Sequence, residues 1–227
     1  MKFNEIINLI IEQSGGSIDK IDLDKFRELI NSAFIFTPSN RWLGISIQKS
    51  PLDLMILQEI IYDKRPDTII ECGTLYGGSA YYIACLMDLM NINGKVFTID
   101  NDKLELSTLP KHEIMQIDEE LLPIDVYDNK IPSHLKIEYI HSYCLTADIP
   151  KYGERTMVIL DCDHSAGHVG EELEKFSKMV TVGQYIIVED TNMTEEHSPA
   201  EAVQKFLKNN KDFVVDKSRE KYGITSN

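Results

Sequence analysis

Apolar residues at positions 3, 6, 7, 9, 10 and 11 recur at helical spacing, and Gly15 and Gly16 end the run. "SIDKIDLDKFRELINSAF" continues as a second short helix, so the N-terminus reads as a helical cap. The turn-rich "TPSNRWLGISIQKSP" follows. From Pro51 the pattern changes. "PLDLMILQEIIYDKRP" opens with proline in a first helical turn and closes at Arg65-Pro66, where the second proline cannot continue a helix. Beyond it come "DTIIECG", "GKVFTID", "LKIEYIHS", "RTMVILDCD" and "GQYIIVED", runs rich in β-branched residues. Most are separated by helical patterns or by a charged excursion over 101–129. This alternation predicts an α/β fold: a doubly wound, mostly parallel, Rossmann-like sheet covered on both faces. A later helix, "SPAEAVQKFLKN", precedes "DFVVD" and "KYGIT", which are expected as added edge strands. Residues 1–50 are read as helical cap and connector, and 51–227 as the sheet domain.

The first run leads into "IIECGTLYGGSA", a strand that stops at Glu71 and enters a loop with Gly73, Gly77 and Gly78. In open α/β sheets ligands bind beyond the carboxyl ends of the strands. The loop has no Lys-Ser/Thr after its glycines, so it is not a triphosphate-cradling P-loop. It reads G-x-x-x-G-G, with Leu75 where a dinucleotide fingerprint has its middle glycine, and fits a pyrophosphate poorly. Glu71 would repel a doubly anionic ligand and attract an ammonium or sulfonium group. Asp100 lies 22 residues after Gly78, near the ~20 expected of a carboxylate that binds ribose hydroxyls. A nucleoside without phosphate but with a cationic amino-acid end describes S-adenosylmethionine. The competing reading is that the glycines only allow tight strand-to-helix packing.

Two further strands end in acids: "VILDCDH" gives Asp161, Asp163 and His164, and "IIVEDTN" gives Glu189 and Asp190. Neighbouring strand ends lie about 5 Å apart, so these groups converge on one rim. Such a gathering requires a cation or forces protonation. A set made only of oxygen ligands favours Mg²⁺ or Ca²⁺ over zinc. The alternative is a solvated rim capping helix N-termini. For His164 a structural hydrogen bond stands beside catalysis, and His168 reads as structural. Trp42 either stacks on a sugar face or anchors the N-terminal cap.

Composition narrows the partners. The net charge of -14 disfavours nucleic acid. No segment approaches the ~18 apolar residues of a membrane span. The N-terminus does not read as a signal peptide. Cys72, Cys85, Cys144 and Cys162 lack the paired spacing of a zinc site and are expected as small buried hydrophobes in a reducing cytoplasm.

Two stretches, Arg41 to Ala84 and Met157 to Thr191, resemble the rhamnosyl O-methyltransferase and cephalosporin hydroxylase family of S-adenosylmethionine-dependent methyltransferases. The loop from Glu71 to Ser79 is also similar to the catechol-type pattern E-x-G-x-x-x-G-x-S. The resemblance implies a class I methyltransferase domain over 51–227 that methylates a hydroxyl of a sugar, glycoside or other polyhydroxylated natural product. Glu71, Gly73, Tyr76, Gly77, Gly78 and Ser79 would hold the methionine end of the cofactor, Asp100 its ribose and Ser142 its adenine. Asp161, Glu189 and Asp190 would hold Mg²⁺, with Glu-Asp where the catechol-type pattern has Asp-Asn. His164 or Asp163 would accept the proton, beside Asp161. The family label includes hydroxylation, but neither an iron triad nor a flavin loop is evident. Self-association through the N-terminal helices is expected. A nicotinamide-dependent oxidoreductase and a non-catalytic partner subunit of the same fold remain as rivals.

Overall fold

A computed structural model describes residues 40–101, 131–191 and 198–219. The expected N-terminal helices, most of the charged excursion and "KYGIT" lie outside the described residues. The turn-rich connector holds a small antiparallel hairpin, β1 (Arg41–Trp42) and β2 (Ile45–Ser46). Its two-residue turn places Leu43 at φ 49° and Gly44 at φ 93°, the left-handed pair that tight hairpins require. Trp42 meets Tyr82 edge-to-face at 4.9 Å, so it packs as an apolar anchor rather than as an open platform.

Helix α1 (Pro51–Lys64) starts as its sequence predicts. Ser50 caps it by accepting from the Leu52 N–H at 3.2 Å, and Pro51 occupies the first turn, where a missing N–H costs nothing. Arg65 closes it in the left-handed conformation, its N–H donating to Ile61 O at 2.8 Å.

The five expected strands form one parallel sheet: β3 (Thr68–Cys72), β4 (Lys95–Asp100), β5 (Ile137–His141), β6 (Thr156–Leu160) and β7 (Ile186–Val188). Their order is β5-β4-β3-β6-β7. Side chains alternate across it. Ile69, Val96, Met157 and Ile159 face a core made by α1 and α2 (Gly78–Leu89). Ile70, Ile99, Val158 and Leu160 face α3 (Ala166–Phe176) and α4 (Pro199–Asn209). Helix α3 buries Val169, Leu173 and Phe176 on one stripe, each side chain contributing about 1.5–3 kcal/mol. The chain winds outward from β3 through β4 and β5, then returns to the other side of β3 for β6 and β7. The ends of β3 and β6 therefore form the switch-point crevice where such sheets bind ligands.

The expected edge strand "DFVVD" does not form: residues 212–216 are irregular. Phe213 turns onto Phe206, while Val214 is 86% exposed. A short helical turn, Lys217–Arg219, follows and is tied back by Arg219 to Asp63 at 2.7 Å. The β-branched pair has local propensity but no ladder partner among the described residues, and propensity alone does not hold an edge strand.

Close packing fixes one glycine of the loop. A Cβ on Gly78 would lie 2.1 Å from Ser46 O, so α2 and the hairpin approach too closely for a side chain. Gly78→Ala is expected to cost about 1–3 kcal/mol in urea unfolding. Gly167→Ala, at an α3 position with open space around the Cβ, should instead be neutral or stabilise by about 0.4–1 kcal/mol.

Candidate active site

The loop after β3 is built on a buried polar column. Glu71 is fully buried and sits in register beside Thr98 of β4. Thr98 Oγ1 donates to Glu71 Oε2 at 2.7 Å, and Thr74 Oγ1 bonds to Thr98 Oγ1 at 2.7 Å. Glu71 Oε1 is buried with no hydrogen-bond partner. Burial pushes this carboxyl up to about 7, against the pull of the nearby Ser79 hydroxyl and Lys49 ammonium.

Gly73 crosses the end of β6 so tightly that a Cβ would lie 1.9 Å from Asp161 O. Gly77 takes φ 75° as the N-cap of α2, which begins without a side-chain cap. Ser79 is buried in the first turn of α2, and Tyr76 is half-buried in the loop. Packing and ligand readings of these glycines are thus not exclusive: close approach and left-handed backbone shape the loop that faces the crevice. Asp100 ends β4, where a ribose-binding carboxylate was expected, but its Oδ2 already accepts from Thr74 N at 2.9 Å and Leu75 N at 3.1 Å. Ser142 lies next to it, donating its N–H to Asp100 O at 2.9 Å.

Across the crevice the acids of β6 and β7 meet a residue that sequence reasoning passed over. Lys49, between the hairpin and α1, donates to Asp161 Oδ2 at 2.7 Å and to Glu189 Oε1 at 2.8 Å. Burial alone would lower its pKa, yet the two carboxylates hold it above the ordinary lysine range. Lys49 supplies part of the positive charge that the acidic rim demands, where the sequence suggests a metal, protonation or a solvated rim. The signal is present in "IQKSP", a lysine directly before a helix cap, but its sequence position is remote from both acids.

Of the expected ion set, Asp161 and Glu189 meet on Lys49, and Asp161 and Asp190 meet with His164. Glu189 is buried and turned to Lys49, whereas donor atoms of Asp161, His164 and Asp190 lie within 4.8 Å of one another. Two oxygens and one imidazole nitrogen suit a divalent cation, though less exclusively Mg²⁺ than an all-oxygen set. His164 Nδ1 stands 3.3 Å from Asp190 Oδ2. Asp190 adopts φ 56°, a left-handed conformation that costs a non-glycine residue about 1 kcal/mol or more and turns its carboxylate toward His164. Burial first, then the Asp161 charge, raises the Asp190 pKa.

Asp163 has a different task. It accepts from Ser165 N at 2.8 Å at the start of α3, and the bonds from Ser165 hold its pKa below the usual carboxylate range. A carboxylate so stabilised is a poor proton acceptor, which leaves His164 as the better-placed base.

Residues 35–227 match the sequence family described as Rhamnosyl O-methyltransferase/CmcI. The chain is 31% identical over 194 residues to the rhamnosyl O-methyltransferase of Mycobacterium bovis, covering 82% of this chain and 74% of that one. It is 28% identical over 193 residues to the rhamnosyl O-methyltransferase of Mycobacterium leprae, covering 81% and 78%. A solved structure of CmcI with Mg-SAM shares the fold at a TM-score of 0.54 and 19% identity, over 76% of this chain and 68% of that chain.

Removing the ammonium strands two buried acids. Lys49→Met is expected to destabilise the protein by about 3–5 kcal/mol in urea unfolding. Adding Glu189→Gln should recover part of that loss, giving a non-additive double-mutant cycle.

Proposed function

The chain belongs to the Rhamnosyl O-methyltransferase/CmcI family, and from that premise we propose that it transfers the methyl of S-adenosylmethionine to a sugar hydroxyl. The acceptor is a sugar, glycoside or related polyhydroxylated compound. The nicotinamide reading gives way to the family assignment. The sugar acceptor is supported by the similarity to rhamnosyl O-methyltransferases. The observation that carries the cofactor assignment is Glu71 Oε1, a buried carboxylate oxygen without a partner behind a loop that disfavours phosphate. It fits a ligand that brings its own positive charge.

On this reading Glu71, Gly73, Tyr76, Gly77, Gly78 and Ser79 hold the methionine end. Asp100 serves two purposes, pinning the loop through Oδ2 and meeting the ribose, while Ser142 borders the adenine. Asp161 and Asp190 would hold Mg²⁺, with His164 beside them, while Glu189 binds Lys49, whose ammonium offsets part of the rim's negative charge. When bound, the divalent cation lowers the pKa of a hydroxyl near it and fixes its position. Asp190 orients His164 through Nδ1, which leaves Nε2 to take the hydroxyl proton. The hydroxyl oxygen then attacks the methyl carbon in line with its bond to sulfur, and S-adenosylhomocysteine departs. Asp161 and Lys49 share the rim with this base, so its field is set by a fixed ion pair rather than by bulk water.

Incubation with rhamnosides and S-adenosylmethionine should yield S-adenosylhomocysteine, and Asp190→Ala and EDTA should each suppress it. Turnover indifferent to both would remove the metal from the proposal. No binding of S-adenosylmethionine by calorimetry would remove the methyl donor, and binding without turnover on any glycoside would favour the non-catalytic rival.

The raised Glu71 pKa sets a direction with pH. Below about 7 the carboxyl is largely protonated, so affinity for the cationic donor should rise as pH increases through about 7 and level off above it. The free protein carries the opposite trend from this group, losing stability as pH rises from the ordinary carboxylate range through about 7. Glu71→Gln should flatten the affinity profile and weaken binding about tenfold to hundredfold, read by calorimetry.

A further inference from the structure

The opposite side of the same strand ends carries a second cluster that methyl transfer does not use. Cys144 follows β5, Cys162 follows β6, and His168 and Glu172 lie one turn apart on α3. Their donor atoms all fall within 4.8 Å of one another. Cys144 Sγ and Cys162 Sγ are 3.5 Å apart, and each lies 3.3 Å from His168 Nε2. Glu172 Oε1 is 3.0 Å from Cys162 Sγ and 3.7 Å from His168 Nε2. A tetrahedral zinc with bonds of about 2.0–2.3 Å holds its donors roughly 3.3–3.8 Å apart. The cluster already has nearly those edges.

Three surrounding features point the same way. His168 Nδ1 is bonded to Tyr143 Oη at 3.0 Å, so with the proton on Nδ1 the Nε2 lone pair faces the two thiols. Imidazole ligands of metals are typically fixed by such a bond from the other ring nitrogen. Glu172 is fully buried, and its Oε2 has no hydrogen-bond partner, a costly arrangement that a cation would relieve. Lys175 Nζ donates to Cys144 O at 2.7 Å and Ala147 O at 2.8 Å, clamping the loop that carries Cys144 onto α3. The local sequence signal is weak because one thiol comes from a different strand end, 18 residues before the other.

We propose that Cys144, Cys162, His168 and Glu172 form a zinc site, separate from the acidic rim, that braces the candidate active site from the α3 side. Two sulfurs and an imidazole select a soft divalent ion, whereas the oxygen-rich rim suits a harder one. The chain links the two closely: Cys162 sits between Asp161 and Asp163, and Cys144 follows Ser142 by two residues. Zinc here would fix the backbone that presents those groups without touching the substrates.

The test is metal content of the full chain, purified from zinc-supplemented cells and desalted under reducing conditions. The expected result is close to one zinc per chain by mass spectrometry, retained in Asp190→Ala and lost in Cys162→Ser and Glu172→Gln. Replacement by Co²⁺ should give the strong visible bands of a tetrahedral ion together with thiolate-to-metal charge transfer. This readout uses the wild-type chain and stands even if a cysteine variant fails to fold. Tyr143→Phe should keep that spectrum while weakening zinc about 10–100-fold in competition with a chelator. Zinc that never reaches stoichiometric occupancy would overturn the proposal. So would zinc lost in Asp190→Ala but kept in Cys162→Ser, or a Cys144–Cys162 disulfide as the stable form of the unreduced protein.

Discussion

Everything at the rim is arranged around one buried ammonium. Lys49 bonds to acids that follow it by 112 and 140 residues, and so joins the connector before α1 to the ends of β6 and β7. Taking an ammonium and two carboxylates out of water costs several kcal/mol per ion, and their attraction recovers that cost only when geometry is good. The value of the contact is therefore positional more than energetic. Lys49 can serve because the hairpin docks closely on α2 and because Ser50, the next residue, caps α1. The lysine is held between two rigid elements and has little freedom to turn away.

That contact also divides the acids into roles. Glu189 and Asp190 are adjacent, and in extended backbone their side chains would point to opposite sides. Glu189 goes inward to Lys49. Asp190 breaks the strand geometry with its left-handed φ and turns to His164, in reach of Asp161. Backbone strain of this kind persists only where the surroundings enforce it, and the neighbouring ion pair provides that enforcement. Offsetting one of the negative charges of Asp161 and Glu189 with a fixed lysine leaves the proposed cation a smaller charge imbalance to settle.

How much of this was legible follows from the range of each signal. Strands and helices declare themselves over about five to ten residues, and so all five parallel strands and the proline-led start of α1 were readable. "DFVVD" misled because propensity is local while a ladder partner is not. The acidic convergence was readable from strand ends alone, but the identity of the counter-charge was not, since Lys49 reaches the rim through tertiary packing. The meeting of two cysteines was hidden in the same manner. Spacing rules find ligands contributed by one loop, whereas Cys144 and Cys162 meet only after β5 and β6 take their places on either side of β4 and β3. Asp163 shows the reverse error: an acid in the right place by sequence is occupied by a turn.

The glycine loop is where the sequence argument and the geometry reinforce each other most. A pyrophosphate needs free backbone N–H groups at a strand-to-helix turn. Here Thr74 N and Leu75 N already donate to Asp100 Oδ2, and Leu75, at φ 43°, occupies the place of the fingerprint's middle glycine. A phosphate entering the turn would have to displace a carboxylate that is covalently fixed at the end of β4, while facing Glu71 behind it. The loop is thus closed to anions by its own neighbour. Asp100 converts a motif usually associated with phosphate into a rigid frame around a buried, unpartnered carboxylate oxygen. The charge that suits such a frame is positive, and a cationic ligand brings it.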